Sequence, residues 1–591
     1  VRVRTDVAAV PKLFDYAVPE HWPHSVVVGS RVRVELHGRR VGAWVVDDHV
    51  KPDLDRTLLP LAHWSGWGPP PALIDLAEWA AWRWAGPESY FLTVASPVAP
   101  VKALPRPSHA HPGIQPDQAA AVLVAEALDA PGVPILRLPP KTDILDTVLA
   151  VIEHAKDDDT GSVLVLVPSN GWAERLTQRL TRRGLAATTD WAAARAGWPV
   201  VVGSRGAAWA PVPRVRAALV IDAHDEAYRE ERSPTYSAVD VVLERTTRDG
   251  APCLLLSPIP TATLRHGRTV IAPDRTKEGE GWAPIQVVDR RGADPHTGLF
   301  SEEFVQLARQ ALDRSGIDPT AGPLVCVFNR VGGARLLACA HCGEVAQCTR
   351  CAAAVRKVDE SLVCPKCGQE RPMVCAACGK LRFKTLRAGV SRLREELAAL
   401  LGTEVAEVSG QTVASGEPPT APVLIGTEAV LHRARRAAAV AFLDIDLHLL
   451  APRVSATDET LALLVRASRL VGPRHRDGSA RVLVQSRVPD HPVLRAAVTG
   501  DPAAVDQEED AMRQSVGLPP YSALALISGP LAPAYVDELR LAAPEAVNIT
   551  PFPDDRFLIS APDHAALCDL LAAVARPAGR GLRIEVDPTS F

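Results

Sequence analysis

Leu324-Val325-Cys326-Val327-Phe328 is followed by Cys339-Ala340-His341-Cys342, Cys348-Thr349-Arg350-Cys351, Cys364-Pro365-Lys366-Cys367 and Cys375-Ala376-Ala377-Cys378. The apolar run reads as a buried strand, and the four Cys-x-x-Cys pairs interrupt a longer α/β pattern. Each pair turns two thiolates to one side of a knuckle, as one edge of a tetrahedral metal site requires. Four pairs supply two four-cysteine sites. Soft thiolates favour Zn²⁺, with an iron–sulfur cluster as the chemical rival. Closed sites of this kind leave no open coordination position, so the expected role is structural. Between Cys339 and Arg387, nine Lys or Arg stand against four acids. Such a basic rim suits DNA phosphates or a protein partner. Cys253, Cys326 and Cys568 lie alone in apolar runs and read as core thiols.

Outward from this block the pattern is that of a parallel sheet. Helices alternate with buried runs at Val163–Val167, Val200–Val202, Ala218–Ile221 and Val482–Val484. The first hundred residues differ. Short alternating runs, among them Val26–Val28, are broken by Gly29-Ser30 and His37-Gly38 and predict a small β domain, and 71–84 has helical spacing. Residues 101–117 are rich in Pro and His and read as a linker. The last hundred residues mix helices and strands.

Composition excludes little. Hydrophobic residues at 47% and charged residues at 23% are ordinary for a globular chain, and the net charge of −4 leaves nucleic acid open. No run is long enough to span a membrane, and no signal peptide is expected. The expected location is cytoplasmic and nucleoid-associated.

Several stretches together resemble the PriA family of primosomal replication-restart proteins. They are Phe14-Asp15-Tyr16 with the later Gly29-Ser30-Arg31-Val32, the eight cysteines after Phe328-Asn329-Arg330, Pro489-Asp490-His491-Pro492, Gly517-Leu518-Pro519-Pro520-Tyr521 and the terminal Val586-Asp587-Pro588. The resemblance implies a multidomain α/β protein. Its parts are a β-rich N-terminal DNA-binding domain (1–100), a linker in place of a winged-helix domain (101–117), and a first RecA-like lobe (118–310). A second lobe (311–490) with a two-zinc insertion (337–385) and an α+β C-terminal domain (491–591) follow. It further implies that Phe14, Asp15, Tyr16 and Gly38 receive the 3′ end of a nascent DNA strand. No lysine near Leu58-Leu59 matches the one expected there. Cys339, Cys342, Cys375 and Cys378 would hold one zinc; Cys348, Cys351, Cys364 and Cys367 would hold the other.

The motor motifs of that family are eroded here. A phosphate loop reads G-x-x-x-x-G-K-[ST]. The matching stretch is Ile135-Leu136-Arg137-Leu138-Pro139-Pro140-Lys141-Thr142, with Ile135 and Pro140 at the glycine positions. Pro139 and Pro140 lack N–H groups that would face phosphate. Lys141-Thr142-Asp143 then reads as a helix start. Asp222-Ala223-His224 has Ala where the water-orienting Glu is expected, and Asp225 and Glu226 are expected to point elsewhere. Ser257-Pro258-Ile259-Pro260, Gly426-Thr427-Glu428 and Val465 to Gly472 each keep only part of a motif. Gln118, Lys141, Thr142, Asp222 and Arg469 remain as a vestigial nucleotide site, with ATP and Mg²⁺ not expected to be used. The expectation is a factor that binds stalled or abandoned forks and helps reload the replicative helicase without helicase activity. Its partners would be forked DNA, primosome and helicase-loading proteins, and single-stranded DNA-binding protein. The alternative is an active ATP-dependent 3′→5′ helicase.

Overall fold

In the computed structural model the described residues are all except 8–9, 11, 23–25, 52–56, 109–114, 157–160, 294–297, 329–336, 386–389, 409–419, 473–479, 578–580 and 591. Asn329, Arg330 and Arg387 therefore lie outside the described residues.

The N-terminal sheet is antiparallel and comprises β1 (Arg2–Thr5), β2 (Leu13–Asp15), β3 (Arg31–Leu36), β4 (Arg39–Asp47) and β5 (His63–Gly66), in the order β2-β1-β4-β3-β5. Alternation drives Val3, Val32, Val34, Ala43 and Val45 into one core and leaves the arginines of β1 and β3 on the other face. Val26–Val28, read as a strand from sequence, is none. The β3–β4 hairpin turns on His37 and Gly38, with φ of +50° and +73°. Both positive values suit a two-residue turn of this twist. Helices α1 (Pro71–Arg83) and α2 (Glu88–Ala95) follow. They bury Trp84 and Phe91 in a core shared with the next domain, where Phe91 stacks 5.7 Å from Trp209. Residues 101–108 and 115–117 hold no helix or named strand.

The first lobe is a parallel sheet of β6 (Ile135–Leu136), β7 (Ser162–Leu166), β8 (Ala187–Thr188), β9 (Val200–Gly203), β10 (Val215–Val220), β11 (Cys253–Leu256) and β12 (Val270–Ile271). Their order is β12-β6-β11-β10-β7-β9-β8. The second lobe starts with β13 (Ile285–Asp289) and β14 (Leu324–Phe328). The chain then enters the cysteine module, with β15 (Leu337–Cys339), β16 (Arg356–Val358), β17 (Ser361–Val363), β18 (Glu370–Pro372) and β19 (Phe383–Thr385). It returns as β20 (Val405–Val408), β21 (Val423–Gly426), β22 (Ala439–Asp444) and β23 (Val482–Ser486). The second parallel sheet runs β13-β23-β22-β14-β21-β20. A C-terminal antiparallel sheet holds β24 (Ala523–Ser528), β25 (Asn548–Phe552), β26 (Arg556–Ala561) and β27 (Arg583–Val586).

Two expected boundaries move. β13 pairs with β23 over five residues, so the second lobe begins by Ile285 and not at 311. A buried strand must satisfy its backbone groups, and β13 does so on the edge of the second sheet. Val493, Leu494, Ala496 and Val505 pack into the second lobe's core, so the C-terminal domain proper begins near β24 rather than at 491. That domain is tied to α1 and the first lobe. Asp587 accepts from Arg83 at 2.8 Å and pairs with His564 at 2.7 Å, while β27 carbonyls accept from Ser233 and Thr235. Cys253, Cys326 and Cys568 are all buried. Among the described residues no helix is long and apolar enough to cross a membrane.

Candidate DNA-end pocket, metal centres and closed inter-lobe cleft

The first site lies at the open end of the N-terminal sheet. Phe14, Asp15 and Tyr16 line a cavity of about 590 Å³, with Arg2, Glu35, His37, Leu58 and Leu59 among its other walls. Gly38 is one residue beyond the lining His37, at the apex of the turn. Its missing Cβ would meet nothing within 4 Å. Strand pairing places the set, because β1 and β2 put Arg2 opposite Asp15. Arg2 grips both carboxylate oxygens, at 2.8 and 3.2 Å. That hydrogen-bonded pairing holds the Asp15 carboxyl below the usual carboxylate range. Tyr16 is buried and donates its hydroxyl to the Glu35 carbonyl at 2.7 Å, which braces the wall. Sequence reasoning missed Arg2, since only the strand register reveals its partner.

The second site is the cysteine module. Cys339, Cys342, Cys375 and Cys378 form one group, and Cys348, Cys351, Cys364 and Cys367 the other; within each group the sulfurs lie within 4.8 Å of one another. Facing sulfurs are 3.5 to 3.6 Å apart. A tetrahedron with metal–sulfur bonds of roughly 2.3 Å has edges of about 3.8 Å, so both cages fit one ion apiece. Each knuckle closes with an N–H one residue past the second cysteine returning to the first cysteine's carbonyl, at 2.9 to 3.0 Å. Gly343, Gly368 and Gly379 take the left-handed conformation this needs, and Ala352 takes it at φ +55°.

The third site is the cleft between the lobes. After β6 the chain makes a turn closed by the Thr142 N–H on the Pro139 carbonyl, 3.1 Å, and the next helix starts only at Leu145. Lys141 and Thr142 thus precede the helix instead of opening it, and Asp143 receives the Leu145 N–H at 3.0 Å. The Pro139 ring packs on Gly281, where an added Cβ would lie 2.1 Å from Pro139 Cβ. Across the cleft, Arg469 pairs with both oxygens of Asp222, one bond being 2.7 Å. Its Nε donates to the Pro140 carbonyl at 2.9 Å, and its guanidinium lies 5.9 Å from the Trp172 ring centroid. Burial alone would raise the Asp222 carboxyl; Arg469 outweighs it and holds the group low. The sequence predicts that Asp225 and Glu226 point elsewhere; Glu226 instead meets Glu459 of the second lobe, and Asp225 does not turn away either. It faces the cleft and pairs with Arg466, which also contacts His432. Asp222 sits at φ +53°, and this turn carries Asp225 back toward the second lobe. Gln118 is exposed at the start of its helix.

The family model "3'DNA-binding domain (3'BD)" of PriA matches residues 2–97. The probable replication restart protein PriA of Mycobacterium tuberculosis is 26% identical over 97% of this chain and 91% of its own length. The chain is similar to PriA proteins along nearly its whole length. The Bacillus subtilis replication restart protein PriA is 25% identical over 56% of this chain and 43% of its own. Among solved structures, the DUF1998 helicase MrfA bound to DNA matches with a TM-score of 0.35 at 11% identity, covering 67% of this chain and 55% of that one. The pocket at Phe14–Tyr16 falls inside the matched DNA-binding domain, while the inter-lobe cleft lies outside it.

Proposed function

We propose that this chain is a replication-restart factor that binds DNA forks through a captured 3′ end and works without turning over ATP. The PriA relatives and the matched 3′ DNA-binding domain support the DNA-binding and restart part of this reading. The bidentate grip of Arg469 on Asp222 carries the rest. Asp222 is the acid that would hold Mg²⁺ through water, and Arg469 is the arginine that remains of the last helicase motif, whose second arginine, the transition-state finger, is replaced by Gly472. Each satisfies the other instead. Opening that pair would expose a buried carboxylate, and two prolines deny the phosphate loop its N–H donors. The lobes then serve as a closed frame between the DNA-end pocket, the cysteine module and the C-terminal domain.

The eight thiolates hold two Zn²⁺ ions in this reading. The ions cross-link a module too small for a large core of its own. The basic module is the docking surface for helicase-loading and primosome proteins, and single-stranded DNA-binding protein is a further partner. The factor acts in the cytoplasm at the nucleoid.

DNA-stimulated ATP hydrolysis by the zinc-loaded protein, on a fork with a 3′-OH at the branch, tests the reading. Turnover no greater than that of Lys141→Ala is expected. Turnover that Lys141→Ala abolishes would replace it with an active 3′→5′ helicase.

A further inference from the structure

The pocket has a charge problem. Its cation, Arg2, is spent on Asp15, and Glu35 adds a second acid to the wall. The chain as a whole carries −4. A polyanion entering this pocket needs positive charge supplied beside it.

The strand register shows where that charge lies. Arg40 is the cross-strand partner of Glu35, and Arg33 is the partner of both Gly42 on β4 and His63 on β5. Cross-strand partners share a face, so Arg33, Arg40 and His63 stand on the same side of the sheet as Glu35. Arg33 and Arg40 are diagonal neighbours, about 7–8 Å apart at their roots. All three are exposed. The rest of this face is closed: Arg4 pairs with Glu88, the Trp44 indole donates to Ser96, and Arg31 donates to the Pro97 carbonyl. Among the described residues the side chains of Arg33 and Arg40 form no ion pair or hydrogen bond. Two acids border the strip: Asp6, whose carboxylate lies over Gly42, and Glu35, opposite Arg40.

Beside the arginines stands an aromatic step. Trp22 meets His63 edge-on at 6.4 Å between centroids and lies 4.6 Å from His21. Exposed imidazoles against a half-buried indole offer ring faces to a base, and adjacent guanidiniums offer phosphate contacts. Together they make the combination that holds single strands without reading sequence.

We propose that this open face of the N-terminal sheet is a second DNA site, which holds the single strand flanking a captured 3′ end. Arg33 and Arg40 take phosphates, and His63 with Trp22 takes a base. The inference rests on reading the adjoining cavity as the 3′-end pocket, and the test separates the two.

Binding of the full chain is measured against salt on two DNAs, a recessed 3′-OH duplex with a single-stranded template overhang and the same duplex made blunt. The overhang should tighten binding by the native protein. Arg33→Ala/Arg40→Ala should erase that gain and make the salt slope shallower by about 1.4, two single-strand phosphates at roughly 0.7 each. His63→Ala should cost on the order of tenfold on the overhang substrate alone. Both variants should keep the preference for a 3′-OH over a blocked end. An Arg33→Ala/Arg40→Ala protein that retains the overhang gain and the native slope overturns the proposal. Asp15→Asn should lose the 3′-OH preference yet keep the overhang gain. If it keeps that preference, the pocket reading fails while the strip stands.

Discussion

Arg469 and Asp222, 247 residues apart in sequence, form a two-pronged ion pair across the cleft between the two parallel sheets. Arg466 and Asp225 repeat the contact beside it, and Arg137 with Glu278 adds a third pair at 2.7 Å. Arg265 reaches Asp510 at 2.7 Å. The lobes are thus held by charge at the place where a motor of this architecture would open and close.

Removing one partner of the central pair should be costly. Arg469→Ala leaves the Asp222 carboxylate, in a residue 3% exposed, without its cation. The expected loss is about 3–5 kcal/mol, seen by calorimetry as an earlier transition of the lobes. Asp222→Asn combined with Arg469→Met should recover most of it, because no charge is then stranded.

A buried imidazole sets an acid-side limit on stability. His448 is 2% exposed, its Nε2 has no hydrogen-bond partner among the described residues, and burial followed by Arg453 pushes its pKa down to about 4. Between that value and the ordinary histidine value of 6.5, the unfolded chain binds the proton and the folded one does not. Stability contributed by the neutral ring is therefore whole above about pH 6.5 and falls as the pH drops toward about 4. At pH 5 the deficit should be roughly 2 kcal/mol relative to pH 7. His432 and His491 are depressed in the same way, so the pH 5 to pH 7 difference in unfolding of His448→Leu should be smaller than the native chain's by about that amount.

The two metal cages should release their ions unequally. Each cage has two buried cysteines, but Cys342 of the first is exposed, whereas Cys351 and Cys367 of the second are only half-exposed. A chelator should remove the ion of the Cys339–Cys378 cage first, and elemental analysis should then find one zinc per chain. Cys342→Ser should be isolated with one ion from the start. Loss of both ions together would contradict independent cages.

The DNA-end pocket makes a prediction about Asp15. A carboxylate accepting from a 3′-OH forms a charge-assisted bond of about 1.5–3 kcal/mol. Asp15→Asn should weaken binding to a recessed 3′-OH end roughly ten- to hundredfold and leave a 3′-blocked end unchanged. Competition binding on the two ends reads this directly.

Much was legible before any fold was visible. The Cys-x-x-Cys spacings stated two cages, because a knuckle is local and its backbone bonds span only a few residues. Buried parallel strands such as Val163–Leu166 stood out as unbroken apolar runs, since both faces of such a strand are covered. Two missing N–H donors at Pro139 and Pro140 were readable too, because proline lacks the donor wherever it sits. The domain limits at 310 and 490 were less legible. Whether the strand Ile285–Asp289 and the helix Pro492–Thr499 belong to one domain or the next depends on edges and grooves that only the assembled chain provides.

From the sequence alone came the local chemistry: thiolates in pairs, prolines in place of glycines, an aromatic–acid–aromatic turn. Each depends on neighbours within a few residues, where covalent geometry and backbone dihedrals dictate the outcome. The tertiary structure alone decided the pairings. It set Arg2 on Asp15, Arg469 on Asp222, Arg466 on Asp225, and Arg33 beside His63. Guanidinium and carboxylate attract wherever the fold brings them within reach, so their partners are fixed by strand register and lobe closure, which no short stretch of sequence contains.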